Sequence, residues 1–327
     1  MANTLSIVTD FAFSREDQHL LRETAGPDCR LEFAQDIATM RVALPNADIL
    51  CSFRPPRDFT TLAPKLQWLQ YPGAGIDGLF KEGLLRQGMQ LQVTTANTVN
   101  VQAIAEYAFG AMLIFARKWD EMLRMQQRKK WATGTAWGEL RGFELQGKTL
   151  GIIGFGTIGH RVAQIARGFQ MRVLGLRRKV DATPDPDCDQ LYRPDQLLEM
   201  LGESDIVLVS VPLTGKTRNL IGERELAAMR PNAYLINVAR GEVIHEPALI
   251  RALTERWIAG AGLDVVVEEP LSADSPLWSL PGVLLTPHLS GLTTGYAHRM
   301  AELFADNIQR FQRHTELRYL VDFNDHA

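Results

Sequence analysis

Cysteine is scarce in this chain: three in 327 residues, Cys29, Cys51 and Cys188, widely spaced and without a C-x-x-C pair. That excludes a disulfide framework and a cysteine-built zinc site, and it points to a reducing cytoplasm with no metal expected. Charge of one sign is equally lacking, since 35 Lys+Arg stand against 38 Asp+Glu for a formal net charge of -3. A nucleic-acid binder would carry a basic face and a high isoelectric point, so that class is excluded. The run Arg128-Lys129-Lys130 reads as a solvated face. Long apolar runs are missing as well. The most apolar stretch, Ala103 to Ala116, is broken by Glu106 and is too short to span a bilayer. The opening residues, Met1 to Ser6, lack the basic flank and apolar core of a signal peptide. Hydrophobic residues at 46% and charged residues at 22% are ordinary for a globular protein. The length suits two domains. The expectation is a soluble cytoplasmic protein with no membrane and no nucleic-acid partner.

Through the first hundred residues, short apolar runs alternate with amphipathic stretches. Leu5–Thr9, Ala47–Phe53, Leu66–Tyr71 and Leu91–Thr95 read as strands with helices between several of them, which predicts a parallel sheet covered by helices. Val101, Ile104, Ala105, Ala108, Met112 and Phe115 then fall at helical spacing. A polar, Trp-bearing segment, Gln126–Gly147, follows; it reads either as an arm lying on a partner subunit or as a plain surface loop. After Lys148 come six apolar, mostly β-branched runs: Thr149–Gly154, Arg172–Leu176, Asp205–Val211, Ala233–Val238, Ile258–Val265 and Val283–Thr286. Such runs suit strands buried on both faces of a parallel sheet, and six of them fit a doubly wound dinucleotide-binding domain. A last helix is predicted from Thr293 to Arg313, followed by a polar end.

Gly154-Phe155-Gly156-Thr157-Ile158-Gly159 follows the strand Leu150–Ile153 and opens a predicted helix, His160–Phe169. A lone G-x-G-x-x-G is weak, but between a buried strand and an amphipathic helix it becomes a phosphate cradle. Gly154 permits the turn, Gly156 lets backbone approach a pyrophosphate, and Gly159 lets helix and strand pack closely. The helix N-terminus offers unpaired N–H groups and a positive dipole end. About 20 residues on, an NAD enzyme carries Asp or Glu for the ribose 2′-hydroxyl. Here the strand Met171–Leu176 runs instead into Arg177-Arg178-Lys179. Guanidinium groups bind a 2′-phosphate bidentately, so the cofactor expected is NADP(H), read by Arg177 and Arg178, with NAD the weaker alternative.

Three further segments carry ionisable residues at predicted strand ends: Asn237-Val238-Ala239-Arg240-Gly241, Gly262-Leu263-Asp264-Val265 running on to Glu268-Glu269-Pro270-Leu271, and Thr286-Pro287-His288. The carboxyl ends of the strands are where this fold class binds ligands. An Arg, a carboxylate and a His are the parts that reduce a 2-keto acid. The Arg grips the substrate carboxylate and polarises the ketone, the His donates a proton to the developing alkoxide, and the carboxylate stabilises the imidazolium.

With Pro72-Gly73-Ala74-Gly75-Ile76-Asp77, Ala105-Glu106, the glycine fingerprint, Ser204-Asp205, Pro212-Leu213-Thr214 and the three segments above, the chain resembles the D-isomer-specific 2-hydroxyacid dehydrogenases nearly end to end. The resemblance implies two Rossmann-like α/β domains with doubly wound parallel sheets. The substrate domain, flavodoxin-like, would comprise residues 1–100 and 292–327, the NAD(P)-binding domain 101–291, with the active site in the cleft and a homodimer formed through the cofactor domain. It implies Arg240 as the substrate arginine, Glu269 as the carboxylate partner and His288 as acid/base. Backbone around Ala74 and Gly75 would bind the substrate carboxylate, and Pro212, Val238, Ala239 and Asp264 would join the glycine loop in holding the cofactor. Phe53-Arg54-Pro55-Pro56, Tyr71 to Gly75, Arg177 to Lys179 and Ser275-Pro276-Leu277-Trp278 look like the NADP-dependent glyoxylate/hydroxypyruvate reductases of that family. His245 stands where many relatives have an acidic residue and reads, like His160 and His298, as structural. Alternatives of the same fold are a broader D-2-hydroxyacid dehydrogenase acting on D-lactate or aromatic 2-keto acids, and a phosphite dehydrogenase. Glu269 counts against a formate dehydrogenase, which generally has Gln there. A different class is an NAD(P)-sensing co-repressor-like binding protein, whose relatives usually carry long tails.

Overall fold

The computed structural model describes residues 4–180 and 184–323; the end of the expected polar tail lies outside them. The chain divides into two compact units, Met1–Asn100 with Leu292–Ala327, and Val101–Gly291.

The first unit carries β1 (Leu5–Thr9), β2 (Cys29–Phe33), β3 (Ile49–Cys51), β4 (Trp68–Gln70) and β5 (Gln92–Thr94). They form one sheet in the order β2-β1-β3-β4-β5, all parallel. This is the flavodoxin-like order. Alternate residues serve opposite faces: Ile7, Ile49 and Trp68 enter one apolar cluster, and Val8, Leu50, Leu69 and Val93 the other. The helix Arg15–Ala25 starts at Ser14, whose hydroxyl accepts from the Asp17 amide while Asp17 accepts from the Ser14 amide, a reciprocal cap. The last helix, Tyr296–Gln312, belongs to this unit. A buried polar chain fixes it there. Trp68 Nε1 donates to Thr94 Oγ1 (2.7 Å), Thr94 donates to Gln70 Oε1 (2.8 Å), and Asn307 Nδ2 donates to that same oxygen (3.2 Å).

The second unit holds β6 (Thr149–Ile153), β7 (Arg172–Leu176), β8 (Gln190–Tyr192), β9 (Ile206–Val209), β10 (Tyr234–Asn237), β11 (Gly260–Leu263) and β12 (Val283–Leu285). Their order is β12-β11-β10-β9-β6-β7-β8, the dinucleotide-binding order with one strand added at the β12 edge. Leu150, Ile152, Leu208 and Ile236 pack under the helices Val101–Ala116 and Thr157–Gly168. Ile153, Val207, Val209 and Leu235 fill the opposite core. Burial on both faces is why these strands read as continuous apolar runs. Sequence pattern missed β2 and β8. Both are edge strands whose sequences, CRLEF and QLY, carry polar, partly exposed residues in place of an apolar run.

Candidate active site

The sheet order of the second unit reverses between β6 and β9, which opens a crevice at their carboxyl ends. Gly154 lies there at φ +100°, where a Cβ would fall 2.8 Å from the Ser210 carbonyl; only glycine meets both demands. The Gly154 and Phe155 amides both donate to Leu176 O at 3.0 Å. Phe155 is turned inward under Gly175, so its ring and amide are used internally. The open side of the loop belongs to Gly156, Thr157 and Ile158. Gly156 caps the helix Thr157–Gly168 without a side-chain bond, and a Cβ there would meet nothing within 4 Å. An open groove of about 600 Å³, lined by Val101, Gly156, Thr157, His160, Arg161 and Gln164, lies over this helix start. Bare first-turn amides facing an open groove fit a dinucleotide pyrophosphate.

Arg177 and Arg178 follow β7 as expected, but they do not stand among cations alone. Asp185, its side chain only 8% exposed, lies 3.5 Å from Arg177 Nη1 and 2.9 Å from His160 Nε2. The other ring nitrogen of His160 bonds Gly156 O at 2.8 Å. Burial pushes Asp185 up, but bonds from His160 and the Asp187 amide, with the nearby Arg177 charge, hold it below the usual carboxylate range. His160 thus links the glycine loop to the Asp185 carboxylate beside Arg177.

At the end of β10, Asn237 is buried and folds the next turn. Its Nδ2 donates to Arg240 O (2.9 Å) and its Oδ1 accepts from the Ala239 amide (3.0 Å). Arg240 Nη1 donates to Ala239 O at 2.8 Å. Val238 and Ala239 are buried beneath this turn, Pro212 is exposed, and His245 is an exposed residue at the start of the helix Glu246–Thr254. Gly241 presses against the Val266–Val267 backbone, so the arginine turn rests directly on the segment leading to Glu269. There His288 Nδ1 and Glu269 Oε2 are 2.9 Å apart, with the side chains 46% and 40% exposed. The Val266 amide donates to Glu269 Oε1 at 3.3 Å. A carboxylate only accepts, so Nδ1 is the donor in this contact and Nε2 takes no part in it.

His288 itself sits at φ +55°, a left-handed conformation that costs a non-glycine residue about 1–2 kcal/mol. Its amide donates to Asp264 O (2.8 Å) and Thr286 O (3.0 Å). The Asp264 carboxylate is buried and accepts from Thr286 Oγ1 (2.7 Å) and from the Leu289 and Ser290 amides (both 2.9 Å).

In the first unit, Ala74 and Gly75 lie on the partly exposed loop after β4. The loop is braced by Tyr296, whose hydroxyl donates to Pro72 O, and by the Ala96 amide donating to Gly73 O at 2.9 Å. Phe53, 41% exposed, stands edge-on to Tyr71 with centroids 5.6 Å apart and tilted against Phe11 at 5.7 Å. In the Gln126–Gly147 segment, Trp131 and Trp137 are exposed, as are Trp119, Met122 and Leu123 on the preceding helix Trp119–Gln127. The segment returns at Gly142, where a Cβ would strike Ala116 O.

Sequence reasoning missed Asp185, and it quoted Asn237 and Thr286 without a task. Only the position of Asn237, at a strand end just before the arginine, was a usable signal. Among the described residues no helix is long and apolar enough to cross a membrane.

A family model for the D-isomer specific 2-hydroxyacid dehydrogenase NAD binding domain matches residues 109–290. A glyoxylate reductase of Pyrococcus furiosus is 42% identical over 256 residues, 77% of this chain and 74% of that one. The solved structure of a D-isomer specific 2-hydroxyacid dehydrogenase family protein from Aeromonas salmonicida superposes with a TM-score of 0.84 at 30% identity, covering 98% of this chain and 99% of that one. A family member from Xanthobacter autotrophicus Py2, in complex with NADPH and MES, gives a TM-score of 0.80 at 28% identity over 98% of each chain. The chain therefore belongs to the D-isomer-specific 2-hydroxyacid dehydrogenases, a family of oxidoreductases whose NAD-binding domain model matches its residues 109–290.

Proposed function

We propose that this protein reduces a small 2-keto acid of the glyoxylate or hydroxypyruvate kind to the D-2-hydroxy acid with NADPH. The observation that carries the reading is the 2.9 Å bond between His288 Nδ1 and Glu269. It orients the imidazole so that Nε2 hands its proton to the oxygen that becomes the hydroxyl. Glu269 stabilises the positive ring before the transfer. Arg240 grips the substrate carboxylate and polarises the ketone. When bound, the reduced nicotinamide dinucleotide supplies the hydride to the keto carbon. The glycine loop from Gly154 to Gly159 carries its pyrophosphate, with Pro212, Val238, Ala239 and Asp264 in supporting positions, and Arg177 and Arg178 take the 2′-phosphate.

The choice of substrate is supported by the glyoxylate reductase relative. That of cofactor is supported by the two arginines and by the Xanthobacter structure holding NADPH. The exposed apolar residues of the Gln126–Gly147 arm and of the helix before it suit a homodimer, which we place in the cytoplasm.

The test is the initial rate of NADPH and NADH oxidation with glyoxylate, hydroxypyruvate, pyruvate and phenylpyruvate. Turnover should be greatest on the two- and three-carbon acids and at least about tenfold better with NADPH, a difference that one or two charge-assisted bonds supply. His288→Ala should lower kcat by roughly 10²–10⁴-fold. Unchanged turnover in that variant would end the assignment.

A further inference from the structure

The strained backbone of His288 raises the question of what holds it. Thr286 Oγ1 donates to Asp264 Oδ1 at 2.7 Å. A threonine hydroxyl has a single hydrogen, so in its 2.7 Å contact with Tyr107 the phenol must be the donor. The hydrogens therefore run one way, from Tyr107 to Thr286 to Asp264. Burial pushes the Tyr107 phenol up to about 12, which keeps it a donor across the working range of pH. Asp264 also accepts from the Leu289 and Ser290 amides, while its own carbonyl accepts from His288 N. The loop from Thr286 to Ser290 is thus wound around one buried carboxylate, with His288 at its left-handed corner. The start of this chain, Tyr107, sits on the helix Val101–Ala116, remote in sequence from every residue of the reaction.

We infer that Thr286 and Tyr107 are positioning residues for His288, acting through Asp264 to hold the imidazole in its proton-transfer orientation. The hydrogen bonds of the two hydroxyls run to each other and to Asp264. Their effect is to direct and polarise the clamp on a loop that would otherwise relax out of its strained conformation. The inference rests on the reading of His288 as the acid/base.

The experiment compares Thr286→Val, Thr286→Ser, Tyr107→Phe and His288→Ala. Thr286→Val keeps the shape and removes the hydroxyl; Thr286→Ser keeps the hydroxyl. Thr286→Val should lower kcat by about 10–100-fold, the scale expected when a catalytic group is displaced by about 1 Å. Thr286→Ser should stay within about twofold of wild type, and Tyr107→Phe should lose several-fold, as expected of a bond one step removed. NADPH affinity measured by fluorescence should change far less than kcat in the Thr286 and Tyr107 variants. Amide hydrogen exchange across residues 286–291 should quicken in Thr286→Val and Tyr107→Phe, a readout independent of turnover. If Thr286→Val fails to fold, Tyr107→Phe, which removes one atom from the outer end of the chain, carries the test. Wild-type kcat and exchange in Thr286→Val and Tyr107→Phe, beside a dead His288→Ala, would overturn this inference alone. Equal losses in Thr286→Val and Thr286→Ser would also overturn it, since the hydroxyl would not be the cause. Turnover surviving in His288→Ala would overturn both readings.

Discussion

Replacing Gly241 by alanine should damage catalysis more than any other exchange of one glycine hydrogen for a methyl in the second unit. No left-handed φ is needed at this position, so only space is at issue. A Cβ built there falls 2.0 Å from the Val266 carbonyl carbon, 2.1 Å from its oxygen and 2.3 Å from the Val267 nitrogen. Ordinary contact begins near 3.4 Å, so one strand of backbone must retreat by about 1.4 Å. No side chain can rotate away, because the obstructing atoms are all main chain. Overpacking of this kind costs about 1–3 kcal/mol, and a clash against backbone belongs at the upper end. For a unit of this size that corresponds to a fall in Tm of roughly 6–12 °C. The displaced segment leads to Glu269 and the adjoining turn carries Arg240. A shift of about 1 Å there should lower kcat roughly 10²-fold. Gly110 is the control. It lies within the helix Val101–Ala116 with no heavy atom within 4 Å of its virtual Cβ, and alanine there should stabilise by about 0.5–1 kcal/mol. The assay is differential scanning calorimetry beside steady-state kinetics on glyoxylate. A Gly241→Ala protein with wild-type Tm and kcat would refute the reasoning.

Two other perturbations have definite signs. Arg177→Ala should raise KM for NADPH by about 10–100-fold while changing that for NADH by no more than about threefold, as expected when a charged hydrogen bond is removed. Equal losses with both cofactors would mean that Arg177 serves structure through Asp185 and does not read a phosphate. In the first unit, hydrogen bonding to Asp17 at 2.7 Å lifts His298 above its ordinary 6.5. Burial pushes Asp17 up, but bonds from His298 and Ser14 outweigh it and hold the carboxyl below 3.8. The contribution of His298 is complete below pH 6.5 and fades as pH rises through its folded value; that of Asp17 is complete above 3.8 and fades as pH falls through its own. Wild type should exceed His298→Gln in Tm most between about pH 4 and 6.5, with the gap closing as pH rises above that range. A gap that widens toward alkaline pH would contradict the pairing.

Where a strand lies inside the sheet its identity was plain, because both faces must be apolar: Leu150 to Ile153 and Ile206 to Val209 admit no other reading. Cys29–Phe33 and Gln190–Tyr192 were invisible for the opposite reason. An edge strand is held by backbone bonds to one neighbour, and its exposed side chains are free to be polar. The residues proposed for the reaction followed the same division. Arg240, Glu269 and His288 stand in compact motifs at strand ends, and spacing with chemistry marked them. Asp185 could not be marked, since nothing local says that the chain after Arg178 turns back to bring a carboxylate against Arg177 and His160.

By itself the sequence determined the alternation of strand and helix, the glycine turn and the residue types a 2-keto acid reduction needs. These are local properties, set by periodicity, backbone freedom and functional-group chemistry over a few residues. Only the tertiary structure decided that Tyr107 meets Thr286 across 179 positions, that Asp264 turns its carboxylate to the loop of His288, and that Gly241 must admit another backbone. Hydrogen bonds and steric contacts act over a few ångströms, and which groups come within that range is settled by the packing of whole elements.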